Sequence, residues 1–118
     1  DINNEYLDIC HKCFFDKDEL LNYLNKNKNL QVIIDEATAF FSYRSFDNNF
    51  NKIMQLKRHN NHLIFVVYHS LRFVPQYVRM YLNYLFLFQT NDSEKEFEKF
   101  GIEKPQLKKF EYKLFKIM

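Results

Sequence analysis

The chain has 118 residues, with 17 Lys and Arg against 15 Asp and Glu, for a formal net charge of +2. An apolar fraction of 47% suffices for one packed domain, and the charge balance gives no case for nucleic-acid binding by the domain as a whole. The single glycine excludes a glycine-rich phosphate loop within these residues.

The opening DINNEY, residues 1–6, is polar and rich in turn formers. A short helix is expected between Tyr6 and Phe15. It includes Cys10-His11-Lys12-Cys13, a C-x-x-C that reads as half a zinc site, a redox pair or ordinary thiols. No second Cys/His pair stands at ligand spacing, so ordinary thiols in a reducing compartment are favoured, and with them an intracellular, cytoplasmic setting. Asp16 or Asp18 can cap a helix running to about Asn27, with Leu20, Leu21 and Leu24 on one stripe. The polar run 25–29, NKNKN, ends it.

Leu30 to Asp35 is a short apolar run of the kind a strand buried on both faces shows. It leads into two adjacent carboxylates, Asp35 and Glu36. Unpaired buried charge costs several kcal/mol, roughly, unless it meets a cation or a hydrogen-bond donor. Ligands of open α/β sheets bind outside the carboxyl ends of strands. The pair is therefore placed to hold a metal-nucleotide, as a Walker B segment does, with Asp35 toward Mg²⁺ and Glu36 toward the attacking water. An acidic pair suits a following helix N-terminus equally well.

A helical turn and a loop should follow, with Phe40 and Phe41 tucked against the sheet. Asp47 or Asn48 can cap a helix to about His59, with Phe50, Ile53 and Met54 on one face. His62 to His69 is a second apolar strand. Its alternation with helices at this spacing predicts a parallel sheet with the polar strand ends side by side. Leu71 to Met80 is a loop and a short helix with Pro75 at its first turn. Tyr84 to Gln89 is a third strand. The stretch from Leu63 to Phe88, interrupted by Arg72, Pro75, Gln76 and Arg79, does not read as a membrane span. Ser93 and Glu96 form a possible capping box for a helix ending at Gly101. Pro105 starts a last helix with Leu107, Phe110 and Leu114 on one face. Its Lys104, Lys108, Lys109, Lys113 and Lys116 make a solvated face, or less simply a DNA-facing one.

The order of these parts carries a resemblance. A strand ends in IIDEA. A helix ending at Arg58-His59 precedes a strand ending at His69-Ser70. Then come Val74-Pro75 to Arg79 and an aromatic-apolar strand. Residues 1–92 resemble the FtsK–HerA group of P-loop ATPases, most of all viral genome-packaging ATPases and then the phage assembly ATPases related to zonula occludens toxin.

The resemblance implies a three-layer αβα sandwich with a mainly parallel sheet, three of its strands in this chain. It implies Mg²⁺ on Asp35 and a water-polarising role for Glu36. His69 falls where the group usually has a glutamine that senses the γ-phosphate, with Ser70 as a second donor to nucleotide. Arg58 and Arg79 would deliver charge to a neighbour's nucleotide in a ring-shaped homo-oligomer. Taken singly, Arg58 reads as a helix C-terminal cation, Arg79 as a carboxylate partner and His69 as a strand-end imidazole. ATP, Mg²⁺ and DNA are the implied ligands. The family's phosphate loop would lie upstream of Asp1, so the chain is expected to be the C-terminal part of an ATPase core, inactive alone. The competing expectations are a non-catalytic interaction domain of the same fold and, less favoured, a small metal module on Cys10, His11 and Cys13.

Overall fold

The computed structural model describes residues 12–88, 92–102 and 112–116. They form a small α/β protein. Helix α1 (Lys17–Lys26) precedes strand β1 (Gln31–Ile34), and a 3₁₀ turn, Ala37–Ala39, follows that strand. Helix α2 (Asn48–Leu56) leads to β2 (Leu63–Val66). A second 3₁₀ turn, Leu71–Phe73, precedes the one-turn helix α3 (Gln76–Arg79). Strand β3 (Tyr84–Phe88), helix α4 (Glu94–Glu98) and strand β4 (Tyr112–Lys116) complete the order.

Strands β1 and β2 are parallel, with Gln31 opposite Leu63 and Ile34 opposite Val66. The β1–α2–β2 unit expected from the sequence is thus present. Side chains alternate along it. Val32, Ile34, Ile64 and Val66 face a core built by Leu21 and Leu24 of α1, Phe50, Ile53 and Met54 of α2, and Tyr77 and Val78 of α3. Ile33 and Phe65 point the other way and are 73% and 52% exposed. Burial on both faces is therefore corrected: the helices among the described residues cover one face only. Phe41 is buried, whereas Phe40 is exposed, so only one of that pair is tucked in.

The third strand does not join this sheet. β3 pairs antiparallel with β4, Tyr84 opposite Lys116 and Phe88 opposite Tyr112. This overturns the last helix for the segment holding Lys113, Leu114 and Lys116. The part of that helix between 105 and 111 lies outside the described residues, as does the 1–11 portion with Cys10 and His11. Lys12–Phe15 is not helical, and Cys13 is half-buried.

The caps divide likewise. Asp47 Oδ1 accepts the Phe50 N–H at 2.9 Å and caps α2 as expected. Asp16 and Ser93 occupy cap positions without side-chain cap bonds, so the capping box does not form. Glu96 instead reaches Lys99 at 3.3 Å. Gly101, with φ of 73°, closes α4: its N–H bonds Glu98 O and the Ile102 N–H bonds Phe97 O. That is a Schellman ending, with Ile102 and Phe97 sharing a small second core.

Asp47 also pairs with Lys17 Nζ at 2.9 Å, tying α1 to the start of α2. Burial pushes the carboxyl up, but the Phe50 N–H and Lys17 outweigh it and hold it below its usual 3.8. A lowered folded value gives stability that is present above 3.8 and lost as the pH falls through that lowered value. Asp47→Ala is expected to cost ~1 kcal/mol at neutral pH. Asp47→Asn keeps a cap and loses mainly the acid-sensitive part, seen as a flatter urea midpoint against pH below 4, roughly the ordinary Asp range.

Candidate functional site

The polar strand ends meet beyond the carboxyl end of β1. The parallel ladder continues past β1, because the Val67 N–H donates to Ile34 O and the Ala37 N–H to Val67 O, at 2.9 and 3.1 Å. Ala37 is fully buried, and the Phe40 and Phe41 N–H groups both return to its carbonyl. The step between these anchors, Asp35-Glu36, has little freedom. Glu36 adopts the left-handed conformation, with φ of 54°. For a residue with a Cβ this costs about 1–2 kcal/mol, so the surrounding bonds must over-determine it.

That conformation turns the Glu36 carboxylate toward β2. His69 Nε2 donates to it, at 2.9 and 3.0 Å from its two oxygens. The side chains remain 72% exposed at His69 and 63% at Glu36, so the pair stabilises little and is open to ligand and water. Asp35 Oδ1 accepts the Glu36 N–H at 3.0 Å, leaving an exposed carboxylate oxygen beside the pair. Of the residues singled out in the sequence, Glu36 and His69 therefore come into contact, with Asp35 next to Glu36 in the chain.

Ser70 stands next to His69, but its hydroxyl donates to Asp92 Oδ1, while Asp92 Oδ2 takes the Leu71 N–H at 3.1 Å. Asp92 thus caps the turn after β2. Arg58 is exposed in the turn after α2, on a different connection. Arg79 lies at the end of α3 with its guanidinium 5.7 Å from the centroid of the Phe100 ring. No carboxylate partner of Arg79 appears among the described residues, where a cation–π contact stands instead. Arg58 and Arg79 do not join the Asp35–Glu36–His69 group.

Sequence reasoning missed three supports. His62 is buried and bridges three segments: Nδ1 accepts the Leu30 N–H at 3.3 Å and Nε2 donates to Leu24 O at 3.0 Å. Lys57 Nζ donates to the Tyr81 carbonyl, and burial pushes its ammonium below the usual lysine range, with Arg58 adding to that. The Tyr68 hydroxyl donates to Phe41 O at 2.9 Å, with burial pushing its ionisation up. Each partner is 24 or more residues away, so no local signal points to it.

No group of three His, Cys, Asp or Glu side chains able to hold a metal ion occurs among the described residues. Mg²⁺ carried by a nucleotide needs no such group: one or two carboxylates, phosphate oxygens and waters suffice. The exposed Asp35 carboxylate fits that demand. A phosphate loop does not: the one glycine ends α4. No helix among the described residues is long and apolar enough to cross a membrane. Comparison with known protein families, curated proteins and solved structures finds no match to this chain.

Proposed function

We propose that this chain is part of an ATP-hydrolysing motor of the FtsK–HerA type, packaging or exporting viral or phage DNA in the cytoplasm of an infected cell. One observation carries the reading: a parallel strand pair brings the Asp-Glu step of β1 against His69 of β2, with Glu36 held in a costly backbone conformation. Such strain clusters at functional sites. In this reading the described elements belong to a three-layer αβα sandwich. The uncovered face of β1 and β2 supports that, because parallel sheets are covered on both faces.

Bound Mg-ATP would supply the phosphoryl group and its charge-neutralising metal. Asp35 would hold the metal side of that group. Glu36 orients and deprotonates water, with its carboxylate aimed by His69. The exposed imidazole would also be able to donate to a phosphate oxygen, the role that the sensor position implies. Ser70 positions His69 through the Asp92-capped turn. Arg58 and Arg79, remote from the pair, would act on a neighbouring subunit in a ring. The phosphate-binding backbone would come from outside these residues.

A second reading has its own support. As a non-catalytic interaction domain, the chain would use Glu36–His69 as a brace and the exposed Ile33–Phe65 face as a contact surface.

Nucleotide binding by the full-length protein tests the first reading. Asp35→Asn is expected to weaken Mg²⁺-dependent ATP binding by ~10-fold or more while leaving Mg²⁺-free binding nearly unchanged. Equal affinity with and without Mg²⁺ in the unaltered protein would sink the metal-nucleotide assignment.

A further inference from the structure

We propose that loop 42–46 and the turn Leu71–Phe73 together form a binding surface for single-stranded nucleic acid. Bases would stack on the exposed rings of Tyr43 and Phe46, with half-buried Phe73 backing Tyr43, and phosphates would be held by Arg44 and Arg72. This deepens the motor reading and rests on it for DNA as cargo, but the residues are none of the strand-end group and binding is testable without hydrolysis.

The surface is built of alternating aromatic and guanidinium groups from two separate segments. The Tyr43 and Phe73 rings lie 5.8 Å apart, centroid to centroid. The Arg44 guanidinium sits 5.4 Å from the Tyr43 centroid, and its Nε donates to the Tyr43 hydroxyl at 3.0 Å. The Arg72 guanidinium sits 4.8 Å from the Phe73 centroid. These arginines are exposed and turned onto ring faces, not onto carboxylates. Tyr43 and Phe46 are 47% and 59% exposed, so ring surface is open to a ligand.

Beside them runs a shallow, open groove of about 410 Å³, between residues 43–46 and Pro75, Gln76 and Met80. No carboxylate among the described residues lines it. The nearest in sequence, Asp47, is turned away to the Phe50 N–H and Lys17. An open groove suits an extended polymer better than an enclosed small molecule. Aromatic faces with interleaved arginine are how single strands are held without sequence readout, each base having a π-face. A duplex hides those faces. The overall charge of +2 is no obstacle, because the charge that matters is local.

The test is fluorescence anisotropy of a labelled oligothymidylate titrated with the full-length protein, without nucleotide triphosphate. Tyr43→Ser with Arg44→Ser is expected to weaken binding by ~10-fold or more, and Arg72→Glu, on the other segment, by a similar factor. Lys26→Ser, an exposed cation on α1, should change affinity less than twofold, roughly the loss of one screened charge. Affinity should fall as salt rises, with a shallower slope in the Arg44 variant. Unchanged thermal unfolding in all variants would show that the loss belongs to the surface. Four outcomes would overturn the proposal: no binding, equal loss in Lys26→Ser, equal competition by duplex, or displacement by polyglutamate as readily as by single strand. The last would make the surface one for acidic peptides.

Discussion

Glu36→Gln is expected to lower ATP turnover of the full-length protein by ~10²–10⁴-fold while leaving Mg-ATP affinity within about twofold. The substitution is nearly isosteric. Its amide oxygen still accepts from His69 Nε2, and the left-handed backbone is untouched, so the local fold persists. What is lost is the charge that pulls a proton from water. Asp35, one residue earlier, keeps its carboxylate and its bond from the residue 36 N–H. Binding and turnover should therefore separate. Phosphate release, read beside binding of a non-hydrolysable analogue, measures both. Turnover within threefold of the parent, about 0.7 kcal/mol in barrier, would remove Glu36 from the chemistry. A protein with no ATP turnover to lose would favour the interaction-domain reading.

Phe50→Ala should be among the most damaging core substitutions, costing about 3–5 kcal/mol. The ring is fully buried in the first turn of α2, stacked on Phe41 at 3.8 Å and edge-on to Tyr77 at 6.4 Å. Deleting it opens a void where α2, α3 and the segment after β1 converge. Domains of this size have only about 5–15 kcal/mol in total, so the variant should be largely unfolded by modest heating. The urea midpoint reads the loss. Phe40→Ala is the matched control: its ring is exposed, and a shift within about 0.5 kcal/mol is expected. Phe41 follows Glu36 by five positions and bonds back to Ala37, so loosening it should also relax the pinned strand end.

Much of the architecture was legible because its signals are local. The run LQVIIDE, the Asp47 cap and Pro75 ahead of a short helix each act within a few residues, and β1, α2, β2 and α3 follow them. That the polar ends of β1 and β2 lie side by side was legible because parallel strands with similar apolar runs put their ends together; the Glu36–His69 pair itself was not. The failures share a non-local cause. Leu107, Phe110 and Leu114 sit at helical spacing, yet YKLFK also alternates, and the decision fell to β3, which offered an edge to pair with. A run of apolar residues in β1 and β2 does not reveal how many layers cover it. Ser93 followed by Glu96 has the composition of a capping box, but the Ser93 side chain makes no cap bond. The roles of His62 and Asp92 depend on partners 21 to 38 residues away.

The register of β1 and β2 also bears on how the chain can assemble. Its first rung joins residue 31 to residue 63. Closing so long a loop costs entropy before any ladder bond is gained, whereas α1 and α2 form from neighbours in sequence. Joining α1 to α2 through Lys17 and Asp47 closes a loop of similar length, so the helices can form singly, but they dock with each other and with the strands at about the same entropic cost. Until they do, Ile33, Leu63 and Phe65 sit on unpaired strands, and nascent chains have the chance to pair with each other. Slow dilution from denaturant at low protein concentration should favour recovery of the folded chain, and crowded synthesis should favour aggregates.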